Sequence, residues 1–163
     1  MMDATFYMEK TVFNYRVAAV MVVNNHVLIH RQATDEHWAL PGGRVTVMED
    51  SQTSIVREVK EELGIDVKVD RLLWFTENFF DYKHRNFHEI GLYYHVSPTE
   101  GSFAFQAEAF FGEEGERLVY QWVPINQLET IKLYPEFIRS SLYELPETPE
   151  HLIVKQYSIR AGE

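Results

Sequence analysis

In DSQTSIVREVKEELGI (residues 50–65) apolar and acidic side chains both recur at helical spacing, and they fall on separate arcs. At about 100° per residue, Ile55, Val56, Val59 and Leu63 occupy one arc of roughly 100°. Glu58, Glu61 and Glu62 occupy another of similar width. Asp50 or Ser51 can cap such a helix, because a short oxygen-bearing side chain satisfies its free N–H groups. Gly64 stands where a left-handed residue ends it. One face must pack against a second layer, while the other gathers negative charge.

A solvated helix face normally alternates sign, with a cation four residues after each glutamate. Here Glu58 is followed at that spacing by Glu62, and Glu61 and Glu62 by Ile65 and Asp66. Like charges so placed cost a few tenths of a kcal/mol per pair. Arg57 offsets part of this through Glu61, in the less favourable order. A hard divalent cation would remove the repulsion, since Mg²⁺ prefers carboxylate and water oxygens.

The remaining sequence supplies strands for the helix to pack on. RVAAVMVV (16–23), Asn24-Asn25 and HVLIHR (26–31) read as strand, tight turn and strand. Pro41-Gly42-Gly43 breaks the chain at a turn whose backbone can approach a ligand closely. VKVDRLLWF (67–75), HEIGLYYHV (88–96) and LVYQWV (118–123) are further strands, and HLIVKQYSI (151–159) is a last one. Between them, 77–87 reads as a polar, aromatic loop and 98–117 as a long, mobile loop of the kind that often carries function. YPEFIRSSLYEL (134–145) has helical apolar spacing with proline near its start. These elements predict a mixed sheet with helices packed on it, α+β in class, and a single domain over residues 1–163.

Composition narrows the function classes. A formal charge of −10 opposes non-specific binding to duplex nucleic acid. It leaves room for a phosphorylated substrate whose charge a cation mediates. The longest apolar run, Val17 to Val23, is too short to span a bilayer, so no membrane partner is expected. The first ten residues carry acids and lack the pattern of a signal peptide. With no cysteine, thiolate and disulfide chemistry are excluded, and a reducing cytoplasm fits.

Residues 43–65 resemble the Nudix box, G-x5-E-x7-R-E-U-x-E-E-x-G-U, where U is a bulky aliphatic residue. Gly43, Glu49, Arg57, Glu58, Val59, Glu61, Glu62, Gly64 and Ile65 fill all nine specified positions. The flanking order is similar to the family as well, with W-x-L-P-G-G before the box and Trp122-Val123-Pro124 through Leu128 after it. The resemblance implies an α/β/α sandwich and a hydrolase that splits a pyrophosphate bond in a nucleoside diphosphate linked to another group. The substrate would be of nucleotide-sugar, dinucleoside polyphosphate or nucleoside triphosphate type. It further implies Mg²⁺ or Mn²⁺, held by Glu58, Glu61, Glu62 and the carbonyl of Gly42. Glu58 would also deprotonate the attacking water, Arg57 would orient a glutamate, and Gly43 and Glu49 would support the site. The physics is consistent with this: a metal bridging pyrophosphate oxygens lowers the barrier to nucleophilic attack.

Outside the box, Arg44 and Arg31 are candidate phosphate contacts. Glu113, Glu114, Glu116 and Glu89 are candidates for one additional carboxylate. His88 and His95 read as structural, and Trp38 and Trp122 as core. Tyr82, 17 positions beyond Ile65, resembles a tyrosine of the diadenosine polyphosphate hydrolases. With Phe79 and Phe80 it is also a candidate for stacking on a nucleobase. The proline associated with many ADP-ribose hydrolases is replaced by Phe80 and Asp81. The alternative to an enzyme is a Nudix-like module that senses a nucleotide without cleaving it, although such modules usually have damaged boxes. A diphosphate isomerase of the same fold would need a cysteine. Monomer and homodimer both stay open.

Overall fold

The computed structural model describes residues 1–101 and 105–156. Two β-layers, one mixed and one antiparallel, meet around the run 17–23. One sheet holds β1 (Thr5–Met8), β2 (Thr11–Val20), β5 (Gly42–Arg44), β6 (Val67–Tyr82), β7 (Arg85–Pro98) and β10 (Glu150–Gln156). Its order is β1-β2-β7-β6-β10, with β5 also paired to β2. The second sheet holds β3 (Val22–Val23), β4 (His26–Gln32), β8 (Phe110–Gly112) and β9 (Gly115–Pro124), in the order β3-β4-β9-β8. The chain changes sheets at Met21, so the apolar run expected as one strand is two.

That run is apolar throughout because both its faces are covered. Val17, Ala19 and Met21 enter a core with Ile55 and Val59 of helix α1 (Ser51–Leu63). Ala18 and Val20 enter a second core with Leu128, in a 3₁₀ turn over 125–130, and Ile138 of α2 (Phe137–Ser141). Helices therefore lie on both sides of the sheet, giving the expected α/β/α sandwich. Helix α1 behaves as its pattern dictates: Asp50 caps it by accepting from the Thr53 amide, and Gly64 closes it at φ 71°.

Three sequence expectations change. Residues 77–87 are not a loop: β6 and β7 run through them as a hairpin with left-handed Lys83 and His84 at its tip. Their polarity arises because one face of the hairpin borders a cavity. The segment 98–117 ends in the β8–β9 hairpin, and its residues 102–104 lie outside the described residues. The helix expected over 134–145 is regular only over Phe137–Ser141. The last strand is described to Gln156, so 157–159 of that expectation lie outside the described residues. In addition, β1 and the first half of β2 extend the sheet into a region where no strand was expected.

Candidate active site

Helix α1 brings its acids to the edge of a cavity of about 1100 Å³. Glu58 and Glu62 line it together with Gly42 and Gly43, and the far walls come from β2, β4, β6, β7 and the β8–β9 hairpin. The glycines permit this closeness. A β-carbon on Gly43 would lie 2.3 Å from the Glu58 carboxylate, and one on Gly42 would lie 2.0 Å from the Val17 carbonyl oxygen.

Arg57 organises the acids from behind. Its Nε and Nη2 each donate to Glu49 at 2.9 Å, a bidentate pair, and its Nη1 donates to Glu58 at 3.0 Å and Glu61 at 3.2 Å. The hydrogen bond from Arg57 holds the Glu49 carboxyl below its ordinary range. Glu61 is about half exposed and turns toward Arg57. The two inner acids behave oppositely to Glu49. Burial pushes Glu58 upward against the pull of Arg57. Burial pushes Glu62 up to about 8, with Arg16 opposing and Glu58 and Glu114 adding repulsion.

Around Glu62 the compensation is slight. Tyr120 donates its hydroxyl at 3.2 Å. His30 Nδ1 lies 3.8 Å away, but burial, with Arg16 and Arg117 nearby, lowers its pKa to about 3. The imidazole is therefore neutral and the contact is no ion pair. Among the described residues its Nδ1 has no hydrogen-bond partner. Among the described residues, too, no three acidic or imidazole side chains converge into a ready-made metal cage.

The outlying candidates separate clearly. Arg44 lines the cavity and donates to the Tyr7 hydroxyl at 3.1 Å. Arg31 also lines it, with Nη1 donating to the carbonyls of Gln32, Ala33 and Asp35 and the guanidinium 5.1 Å above Trp38. Trp38 is half-buried, packed against the second core and lining the cavity as well, whereas Trp122 is buried. Glu114 lines the cavity and Glu116 does not. The Glu113 amide donates to the Glu62 carbonyl at 2.7 Å. Tyr82 lines the cavity and donates to Asp35 at 3.2 Å. Phe80 lines it too, but Phe79 lies on the opposite face of β6, stacked on His88.

Sequence reasoning missed Arg16, His30 and the pair Asn14 and Asn78. A signal existed for the first: an arginine opening an otherwise apolar buried strand needs an anionic reason to be there.

A family model described as NUDIX domain matches residues 13–145. The chain belongs to the NUDIX family. Within it, the chain is 32% identical over 98 residues to the Bacillus subtilis (strain 168) protein YjhB, provisionally named an ADP-ribose pyrophosphatase, covering 55% of this chain and 46% of that one. It is 41% identical over 46 residues to the 8-oxo-dGTP diphosphatase of Escherichia coli (strain K12), covering 26% and 36%. The chain thus spans less than half the length of these relatives. Among solved NUDIX-like structures, the MutT protein of Bacillus halodurans superposes with a TM-score of 0.62 at 16% identity, over 87% of this chain and 89% of that one. At that identity the likeness shows the fold alone.

Proposed function

We propose that this NUDIX protein is a divalent-metal-dependent hydrolase that cleaves the pyrophosphate bond of a nucleoside diphosphate linked to another moiety. The observation that carries the reading is the pair Glu58 and Glu62, one helical turn apart, desolvated and facing a large cavity lined by Arg16, Arg31 and Arg44. A chain that is acidic overall places carboxylates and guanidinium groups across one cavity. A cation and a polyanion together satisfy both.

The donor set fits Mg²⁺ or Mn²⁺. All the candidate ligands are hard oxygens: Glu58, Glu61, Glu62 and the Gly42 carbonyl. Burial that raises the proton affinity of Glu58 and Glu62 equally favours their pairing with a cation. When bound, such an ion supplies charge neutralisation of the phosphate oxygens. This chain's own residues do the rest. Arg57 orients Glu58 and Glu61 and keeps Glu49 ionised as a support. Glu58, packed beneath Gly43, accepts the proton of the attacking water. Arg16, Arg31 and Arg44 attract the phosphates, and Glu114 is the one candidate of the β8–β9 hairpin that faces the cavity. Phe80 and Tyr82 offer ring faces for a base.

The test is a panel of nucleoside diphosphate derivatives incubated with Mg²⁺ or Mn²⁺ and scored by product mass. Water entering at phosphorus, with two phosphorylated products, is the expected result. No turnover of any member by the metal-loaded protein would leave a sensing module instead. The relatives include one named for a ribose-containing substrate and one for a deoxynucleotide, so the sugar is a separate question.

A further inference from the structure

The register of the larger sheet places three polar residues in one row. Asn14 on β2 is opposite Glu89 on β7, and Glu89 is opposite Asn78 on β6. Register partners share a face, and all three line the cavity although each is at most 6% exposed. Their hydrogen bonds have a fixed direction. Thr5 donates to Asn14 Oδ1 at 2.9 Å, and Asn14 Nδ2 donates to Glu89 Oε2 at 2.8 Å. Asn78 also bonds the Glu89 carboxylate. Only its amide N–H can do so, which turns Asn78 Oδ1 away, and that oxygen has no partner among the described residues. A buried acceptor left unmet is costly and calls for a donor.

The neighbouring rows give the site a direction. Two residues along β2, about 6.6 Å away, Arg16 faces the acids of α1. Two residues the other way, Phe80 is opposite Phe87, their rings stacked at 4.9 Å and 6°. The cavity floor therefore runs from cation, through a row of acceptors, to an aromatic wall. A nucleotide presents phosphate, sugar hydroxyls and base in that order.

We infer that the row Asn14–Glu89–Asn78 is a sugar-hydroxyl subsite that selects ribonucleoside over 2′-deoxyribonucleoside diphosphate derivatives. Glu89 accepts from a vicinal diol, as carboxylates do toward ribose in other nucleotide sites, and Asn78 Oδ1 accepts from the same sugar. Asn14 and Thr5 are positioning residues, holding Glu89 in place. This inference rests on the phosphate end lying at α1, the reading proposed above. It assigns Glu89 to recognition rather than to the metal. The competing account is a polar network that only ties three strands together. Such a network would affect stability without distinguishing sugars.

The experiment measures binding, not turnover. ADP, dADP, GDP, dGDP, UDP and dUDP are titrated calorimetrically into the full chain with Mg²⁺. At least one ribo form should bind about tenfold or more tightly than its deoxy partner, since a site built for a hydroxyl penalises its loss. In Asn78→Leu that ratio should fall toward one, with thermal unfolding confirming a folded protein. The wild-type ratio stands as a test even if the variant fails to fold. Equal binding within every pair, no binding by any pair, or a ratio unchanged in folded Asn78→Leu overturns the subsite. A ribo preference without turnover would keep the subsite and remove the hydrolase. Turnover without the preference would do the reverse.

Discussion

Glu62 and Glu89 are both buried carboxylates on the same cavity, and burial pushes both upward in pKa. Their surroundings differ in kind. Glu89 is embraced by two side-chain amides, neutral donors that spread its charge without cancelling it. Glu62 has one long hydrogen bond from Tyr120, a neutral imidazole, and the repulsion of Glu58 and Glu114. The first arrangement is complete enough to persist and present an edge to a ligand. The second is poised to gain from a full positive charge. A carboxylate's job is thus set less by its depth than by whether its neighbours already answer its charge.

Replacing Glu62 with Gln tests this contrast most severely. The charge is lost with the shape retained, so metal affinity and turnover should fall about a hundredfold or more, given what even supporting residues of metal sites contribute. Stability in EDTA should hold below about pH 4.5, where folded and unfolded chains both keep the Glu62 proton. It should gain on the wild type from there to about pH 8, because glutamine has no proton for the unfolded chain to release. Near-wild-type turnover would remove Glu62 from the site.

Proton linkage gives the next largest effect. The unfolded glutamate titrates near 4.5 and folded Glu62 near 8. Below the lower value both states hold the proton, and stability does not depend on this group. Between the two, the folded state keeps a proton that the unfolded state releases, so unfolding free energy falls as pH rises. Above about 8 the loss is complete, on the order of a few kcal/mol. Glu89 adds in the same direction. Denaturant titrations of metal-free protein between pH 5 and 9 should show this decline, and Mg²⁺ should flatten it. A decline that Mg²⁺ leaves untouched would shift the weight to Glu89.

The smallest effect expected is at the aromatic end. Tyr82→Ala should weaken the preferred nucleotide by roughly tenfold, within the range for one base on one ring. Metal affinity, read by Mn²⁺ titration, should not move. An unchanged affinity for every nucleotide would place the base elsewhere in the cavity.

The acidic end was legible because it is local. Residues 43–65 hold their acids at fixed helical offsets, so spacing alone put Glu58, Glu61 and Glu62 on one arc, narrowed the cap to Asp50 or Ser51 and named Gly64 as the stop. The floor could not be read in that way. Asn14, Asn78 and Glu89 meet only through strand register, and separations of 64 and 11 residues leave no periodic trace. The same cause misled the reading of 77–87. Asn78, Phe80 and Tyr82 alternate as a strand should, but toward a polar cavity, so the alternation carried no apolar face to announce it. Arg31 and Trp38 were likewise placed singly, and the stacking that joins them needed the third dimension.

The β8–β9 hairpin meets the end of α1 with little tolerance. The Glu113 amide donates to the Glu62 carbonyl, and a β-carbon on Gly112 would stand 2.2 Å from that same oxygen. The amide proton of Glu113 is therefore a natural spectroscopic reporter. It sits outside the acidic helix, yet its exchange with solvent requires the hairpin to part from the residue whose carboxyl burial pushes up to about 8. Hydrogen exchange at that single amide would time the opening of the cavity wall without a label on any residue proposed to hold metal or nucleotide.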